Sequence, residues 1–184
     1  MKKNILVLAV LTLFISSCKD EESKIVDDKE TLSEIVINPN TLKVELDITI
    51  EKDDELILFW KDASISYFDA ENTIYAGIKG NANSQKVVFE FEEGIIPNDI
   101  RIDVSSKKEQ LPIKLNSIKI SQQDRVFMAD KNNFEKYFKA NDFVKFDSET
   151  GIISFEDKGD MHDPFFTTNV IFGPEFEKVQ NTIF

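Results

Sequence analysis

The 184-residue chain has one cysteine and one histidine, and its 22 basic residues are outnumbered by 34 acidic ones. Each scarcity removes a class of chemistry. A lone cysteine, Cys18, allows no disulfide within the chain, so a fold in an oxidising compartment must stand on its core. A Ser/His/Asp hydrolase needs a histidine oriented by a carboxylate. Here only His162 is present, and no Gly-x-Ser-x-Gly elbow surrounds any serine. A zinc site built on three or four His, Cys or carboxylate ligands is disfavoured by the same count. The shortage of basic charge opposes nucleic-acid binding, because phosphates demand basic patches, and it disfavours docking on anionic headgroups. No catalytic set emerges from these residues.

Long apolar runs are also missing. The longest, residues 5–15, spans 11 positions, whereas a helix needs ~20 to cross a bilayer. It follows Lys2 and Lys3 and leads into Ile15-Ser16-Ser17-Cys18. A basic tip, a short apolar stretch and small residues before a cut site are the parts of a secretory signal peptide. The four residues ending at Cys18 resemble the lipobox of bacterial lipoproteins. That resemblance implies that residues 1–17 are removed and that Cys18 becomes the acylated first residue, the palmitate-type chains serving as the membrane anchor. Several chains burying methylenes at ~0.8 kcal/mol per CH₂ make such an anchor durable. Lys19-Asp20-Glu21-Glu22 is similar to the export signal that takes Bacteroidota lipoproteins to the outer cell surface, which implies an outer-membrane, surface-exposed address. Cysteine catalysis is then ruled out as well, since the thiol is consumed.

Cleavage after residue 17 would leave 167 residues, enough for one domain. Lys2 and Lys3 would leave with the signal, so 20 basic residues would face the 34 acidic ones, a net of −14. Residues 18–33 are charged and without apolar period, and read as the lipidated cysteine followed by a flexible acidic linker. A single domain is expected over residues 34–184, opening with a strand near Glu34 and a turn at Asn38-Pro39-Asn40.

Hydrophobic periodicity then predicts strands. Leu42, Val44, Leu46, Ile48 and Ile50 alternate with polar residues, the mark of a strand with one buried and one wet face. Residues 55–60 are apolar nearly throughout and read as a strand lying either between two covered faces or at the centre of a sheet. Residues 85–92 and 99–104 alternate again. In residues 113–120 the parity slips at Asn116-Ser117, which predicts a β-bulge. Phe134, Tyr137 and Phe138 stand at helical spacing behind Asp130 or Asn132 as caps. Residues 143–146 and 152–155 flank a hairpin loop ending at Gly151. Residues 159–164 read as loop, and the tail from Phe172 shows no strong period. The sum is a mainly β chain, an antiparallel β-sandwich of jelly-roll type with one short helix. Its core accounts for most of the sixteen phenylalanines.

Three stretches within residues 55–120 are Leu58-Phe59-Trp60-Lys61-Asp62, then residues 67–74 (YFDAENTI), then Ile100-Arg101-Ile102-Asp103. Together they are similar to small β-sandwich modules that accompany bacterial cell-surface polysaccharide enzymes and glycosyltransferases. Trp60 stands where that pattern has tyrosine, Thr73 where it has serine and Val104 where it has proline. The resemblance implies the sandwich and a glycan-handling setting.

Two sets of candidate site residues follow. Trp60, Tyr67 and Tyr75 fall at a strand end and in the following loop, where flat rings stack on sugar faces; Asp62, Asn72 and Arg101 would hydrogen-bond hydroxyls. Against this, Trp60 and Phe68 equally suit plugging the end of a sandwich. Asp157, Asp160 and Asp163 alternate around Gly159, as oxygen ligands for a structural Ca²⁺ do, though the spacing of an EF-hand is absent and a solvated turn reads the same way. The expected function is a non-catalytic binding domain for a glycan or for a protein of a glycan-handling complex. A structural subunit contacting other envelope proteins is the alternative, and a small glycosidase using two carboxylates is a third.

Overall fold

The computed structural model describes residues 40–180. The expected signal peptide, Cys18, the expected acidic linker and the strand expected near Glu34 lie outside the described residues. Two antiparallel sheets pack face to face. The first sheet holds β1 (Lys43–Ile50), β4 (Asn81–Glu90), β6 (Ile113–Gln122), β7 (Arg125–Asp130), β9 (Val144–Asp147) and β10 (Ile152–Phe155). Its order is β4-β1-β6-β10-β9, with β7 also paired to β6. The second sheet holds β2 (Asp54–Lys61), β3 (Thr73–Ile78), β5 (Asp99–Asp103), β8 (Phe138–Ala140) and β11 (Phe165–Thr168), in the order β3-β2-β5-β11-β8. Helices α1 (Phe134–Tyr137) and α2 (Phe172–Val179) complete the chain.

The expected mainly β, jelly-roll-like sandwich is what forms, and the registers show how it is wound. Five of the seven steps between the sheets (residues 51–53, 79–80, 104–112, 141–143 and 156–164) are made at one end of the sandwich, the crossing end; the other two are the turn 91–98 and the passage through α1. The opposite, open end carries the turns 62–72 and 91–98, the β6–β7 hairpin and the approach to α2.

Alternation dictates the packing. In β1, Val44, Leu46, Ile48 and Ile50 are buried, with Lys43, Glu45, Asp47 and Thr49 turned outward. Leu56 and Leu58 of β2 and Ile100 and Ile102 of β5 face them from the second sheet. The bulge predicted in β6 is present: Asp47 pairs with Ser117 and Ile48 with Leu115, so Asn116 is the extra residue. Gly151 closes the β9–β10 hairpin at φ 77°, and a Cβ there would lie 2.6 Å from the Leu115 carbonyl oxygen. The other half of the core is aromatic. Phe134 lies 4.2 Å from Phe146 and 4.8 Å from Phe166, and Phe172 lies 5.2 Å from Phe127, measured between ring centroids.

The crossing end is pinned by a buried carboxylate. Asp54 accepts hydrogen bonds from the Ser105 hydroxyl (2.7 Å), the Gln110 amide (2.8 Å), the Ser106 hydroxyl (2.8 Å) and the Glu55 backbone N–H (2.8 Å). Burial pushes its carboxyl up, but these donors outweigh burial and hold it below the ordinary value.

Two expectations need correction. The helical spacing at Phe134 yields only one turn, because Phe138 already begins β8. Asp130 caps the preceding turn through the Asn132 N–H (2.9 Å) rather than the helix itself. The tail holds a second helix, α2, where no period was recognised. Its Gly173-Pro174 sits in the first turn, where backbone N–H groups have no intrahelical partner and proline is tolerated. Phe172, Phe176 and Val179 then fall on one buried stripe.

Candidate functional site

Residues opposite one another in a sheet share a face. On the outer face of the second sheet, one row therefore reads Tyr75, Ile57, Asp103, Phe165, and the next reads Phe59, Arg101, Thr167, Lys139. Their inward neighbours Leu58, Ile102 and Phe166 fill the core. The rings of the face are thus held by strands whose other side cannot move without opening the core.

Arg101 is the hub. Its Nε donates to one Asp103 carboxylate oxygen at 2.6 Å and its Nη2 to the other at 2.9 Å. Nη2 also donates to Asp163. The guanidinium carbon lies 3.7 Å from the ring centre of Phe165 and 5.0 Å from that of Phe59. A planar cation between rings and a bidentate carboxylate is the arrangement arginine suits best. Burial lowers the Arg101 pKa, yet its bonds and charge attraction with Asp103 and Asp163 leave it above the ordinary value. Burial pushes the Asp103 carboxyl up, and the Arg101 hydrogen bonds offset that only in part.

Beside this hub runs an open groove of about 440 Å³, lined by Phe165, Asp163, Thr167, Lys139, Asn141 and Asp142 among others. Asn141 fixes its wall, donating to the Asp163 carbonyl at 2.6 Å and accepting from the Phe165 N–H at 3.3 Å. Tyr75, on the edge strand β3, is 56% exposed at the other margin of the face. Phe68 folds back from the 62–72 turn beneath Lys61, whose Nζ lies 4.5 Å from the ring centre and 2.9 Å from Asp99. Rings at the surface, hydrogen-bonding groups between them and a groove alongside make one continuous face. Chemically it can stack and hydrogen-bond a flat, hydroxylated ligand.

No protein-family model, curated protein or solved structure matches this chain. The residues themselves therefore carry the functional argument.

Of the six residues expected to bind a ligand, the structure brings Tyr75 and Arg101 onto this face. Trp60 points the other way, half-buried against the core and edge-on to Phe91 at 6.2 Å, so it plugs the open end. Asp62 accepts from the Ser64 N–H (2.8 Å) and hydroxyl (2.7 Å), which hold its carboxyl below the ordinary value and shape the turn. Asn72 donates to Asp69 at 2.9 Å for the same purpose. Tyr67 is exposed in that turn, apart from the Arg101 rows.

The three candidate calcium ligands are engaged separately. Asp163 meets Arg101, Asp157 accepts from the Gly159 N–H at 3.0 Å, and Asp160 is exposed in the turn between them. Among the described residues no group of three or more His, Cys, Asp or Glu side chains is placed to hold a metal ion. His162 lines a separate cleft of about 280 Å³ at the crossing end, its Nε2 lying 3.4 Å from the Ser105 hydroxyl. That hydroxyl donates to Asp54, so its lone hydrogen is already committed.

Phe59, Asp103 and Phe165 were missed from sequence. Residues 55–60, apolar nearly throughout, hid the outward parity of Ile57 and Phe59, which differs from that of Leu56 and Leu58. Phe165 is invisible without knowing that β11 pairs with β5.

Proposed function

We propose that this chain is a lipid-anchored envelope protein, exposed at the cell surface, whose sandwich binds a glycan without transforming it. The ligand lies across the outer face of the second sheet, from Tyr75 over Phe59 and Phe165 into the groove beside Asp142. The observation that carries this reading is the ring-and-arginine face itself. Pyranose rings present C–H groups on one side and hydroxyls around the rim. An exposed ring beside fixed carboxylates and amides meets both needs. Asp103 and Asp163 both hold Arg101, which suits positioning of hydroxyls better than proton delivery to a glycosidic oxygen.

The test is calorimetry of the full chain against a panel of soluble bacterial and host glycans. Binding should weaken about tenfold in Tyr75→Ala, the equivalent of ~1.4 kcal/mol, with an unchanged melting temperature. A panel with no binder, or a binder indifferent to Tyr75→Ala and Asp142→Ala, would reject the site. The anchor is tested separately. Cys18→Ala should lose both incorporated fatty acid and sedimentation with envelopes.

A further inference from the structure

The open end of the sandwich carries an apolar surface that neither the core nor the proposed glycan face uses. Val170 is 94% exposed, Ile171 52% and Ile96 50%. An open groove of about 750 Å³ runs beside Ile96, floored by Pro97 and Ala63 and walled by Pro174 of α2. A second depression joins Asn98 to Val170 and Gly173, so the two apolar sites share one surface. Large exposed aliphatic side chains gathered at one end of a water-facing domain call for a partner.

The chain itself indicates which partner. It reaches the sandwich at this same end. The Gln122 side chain donates to the Asn40 carbonyl at 2.8 Å, and Gln122 pairs with Arg125. Arg125 donates to the Gln180 carbonyl at 3.4 Å, and the Gln180 amide donates to the Pro97 carbonyl. One run of contacts thus links the first described residue to the floor of the groove. If Cys18 bears the lipid, the 21 residues from 19 to 39 join it to Asn40, a reach of at most roughly 75 Å.

We propose that the open end rests on the lipid surface to which the chain is tethered, with Val170, Ile171 and Ile96 dipping into the interfacial region. This rests on the reading of Cys18 as the lipid-bearing residue. The tether supplies the local concentration, so a patch too small to hold a free protein on a bilayer suffices as the second of two signals. Glu177 and Lys178 at the groove margin leave the patch without a basic excess, so its partner is a zwitterionic surface. In this posture the crossing end points away from the membrane and the second sheet's face stands to the side, open to ligand.

The test uses the lipidated full chain in phosphatidylcholine vesicles, with an environment-sensitive fluorophore placed on Val170→Cys or, at the crossing end, on Glu109→Cys. Lipidation blocks the Cys18 thiol, so the new cysteine takes the label. Expected is a blue shift and loss of iodide quenching for the Val170 probe, absent for the Glu109 probe. Equal, water-like emission from both probes on a chain whose lipid is confirmed by mass spectrometry overturns the posture while leaving the anchor intact. A chain carrying no lipid, recognised by labelling of Cys18 itself, overturns both.

Discussion

On the outer face of the first sheet, Lys43 meets Glu90 at 3.4 Å, Lys86 meets Glu45 at 2.8 Å, and Asn116 donates to Asp47 at 2.8 Å. On the outer face of the second sheet, Phe59 and Phe165 flank a single arginine clamped by two carboxylates, with Ile57 and Tyr75 in the adjoining row. Both sheets bury the same kind of inner face, so the sandwich itself demands only what the first sheet shows. Cross-strand ion pairs keep a wet face soluble and in register at small energetic effect. The second face keeps rings in contact with water and holds them rigid, which solubility does not require. That surplus is the physical argument for a ligand there and not on the first sheet.

The sharpest way to break the comparison is Arg101→Ala. Asp103 would be left with a largely buried carboxylate and no bidentate partner, and Phe165 and Phe59 would lose the cation between them. Loss of one partner from a buried pair costs ~3–5 kcal/mol. Because Arg101 keeps a fifth of its side chain exposed, the lower end, about 3 kcal/mol, is expected in urea unfolding. Arg101→Met with Asp103→Leu should recover most of it. If Arg101→Ala costs no more than a surface pair, the hub is decoration and the face loses its rigidity argument.

Next in size is Asp54→Ala, which strips the acceptor from three side chains and two backbone N–H groups, those of Glu55 and Ser106, at the crossing end. An effect of ~2–3 kcal/mol is expected from leaving those donors unpaired. The pH dependence carries the sign. The folded carboxyl lies below the ordinary aspartate value, so its stabilisation is complete above that ordinary value and is lost as pH falls through the lowered one. Asp54→Asn should therefore flatten the acid limb of the melting-temperature profile below about pH 4. An unchanged acid limb would show that the carboxylate does not pin the crossing end.

Smaller again is Tyr75→Ala, expected to reduce glycan affinity about tenfold and leave unfolding within ~0.5 kcal/mol of the parent. Val88→Ala, at an apolar residue 46% exposed on the first sheet, should leave binding unchanged. Equal effects of the two would erase the distinction between the faces.

Much of the frame was legible in sequence. The β1 alternation, the Asn116 bulge and the Gly151 hairpin are local signals, each fixed by a few consecutive residues. What escaped was set by distant pairings. Four-residue β11 has no period of its own and becomes a strand only between β5 and β8. Helix α2 was hidden by its Gly173-Pro174 start, although Phe172, Phe176 and Val179 stand four and three apart. The candidate site divides the same way. Tyr75 and Arg101 stand out by type, whereas Phe59 and Phe165 look like core until strand pairing assigns them a face. Trp60 stands out by its place at a strand end, and of the two readings open to it the structure shows the plug of the open end.

The mildest change sharpens the other side of the comparison. Lys86→Ala removes a bridge whose lysine is largely exposed and reaches Glu45 diagonally from its place opposite Asp47 across β1 and β4. Glu45 is itself mostly covered, but Lys86 is largely in solvent and supplies a single ion pair rather than a bidentate clamp, so about 0–1 kcal/mol is expected. The loss should shrink further in 1 M salt, where screening acts within ~3 Å. Arg101→Ala should keep its effect at the same salt, because its charges sit among rings rather than in solvent. Urea titrations of both variants at low and high salt would read this directly. If both lost their effect in salt together, the two faces would be electrostatically alike, and the second sheet would have no better claim to a ligand than the first.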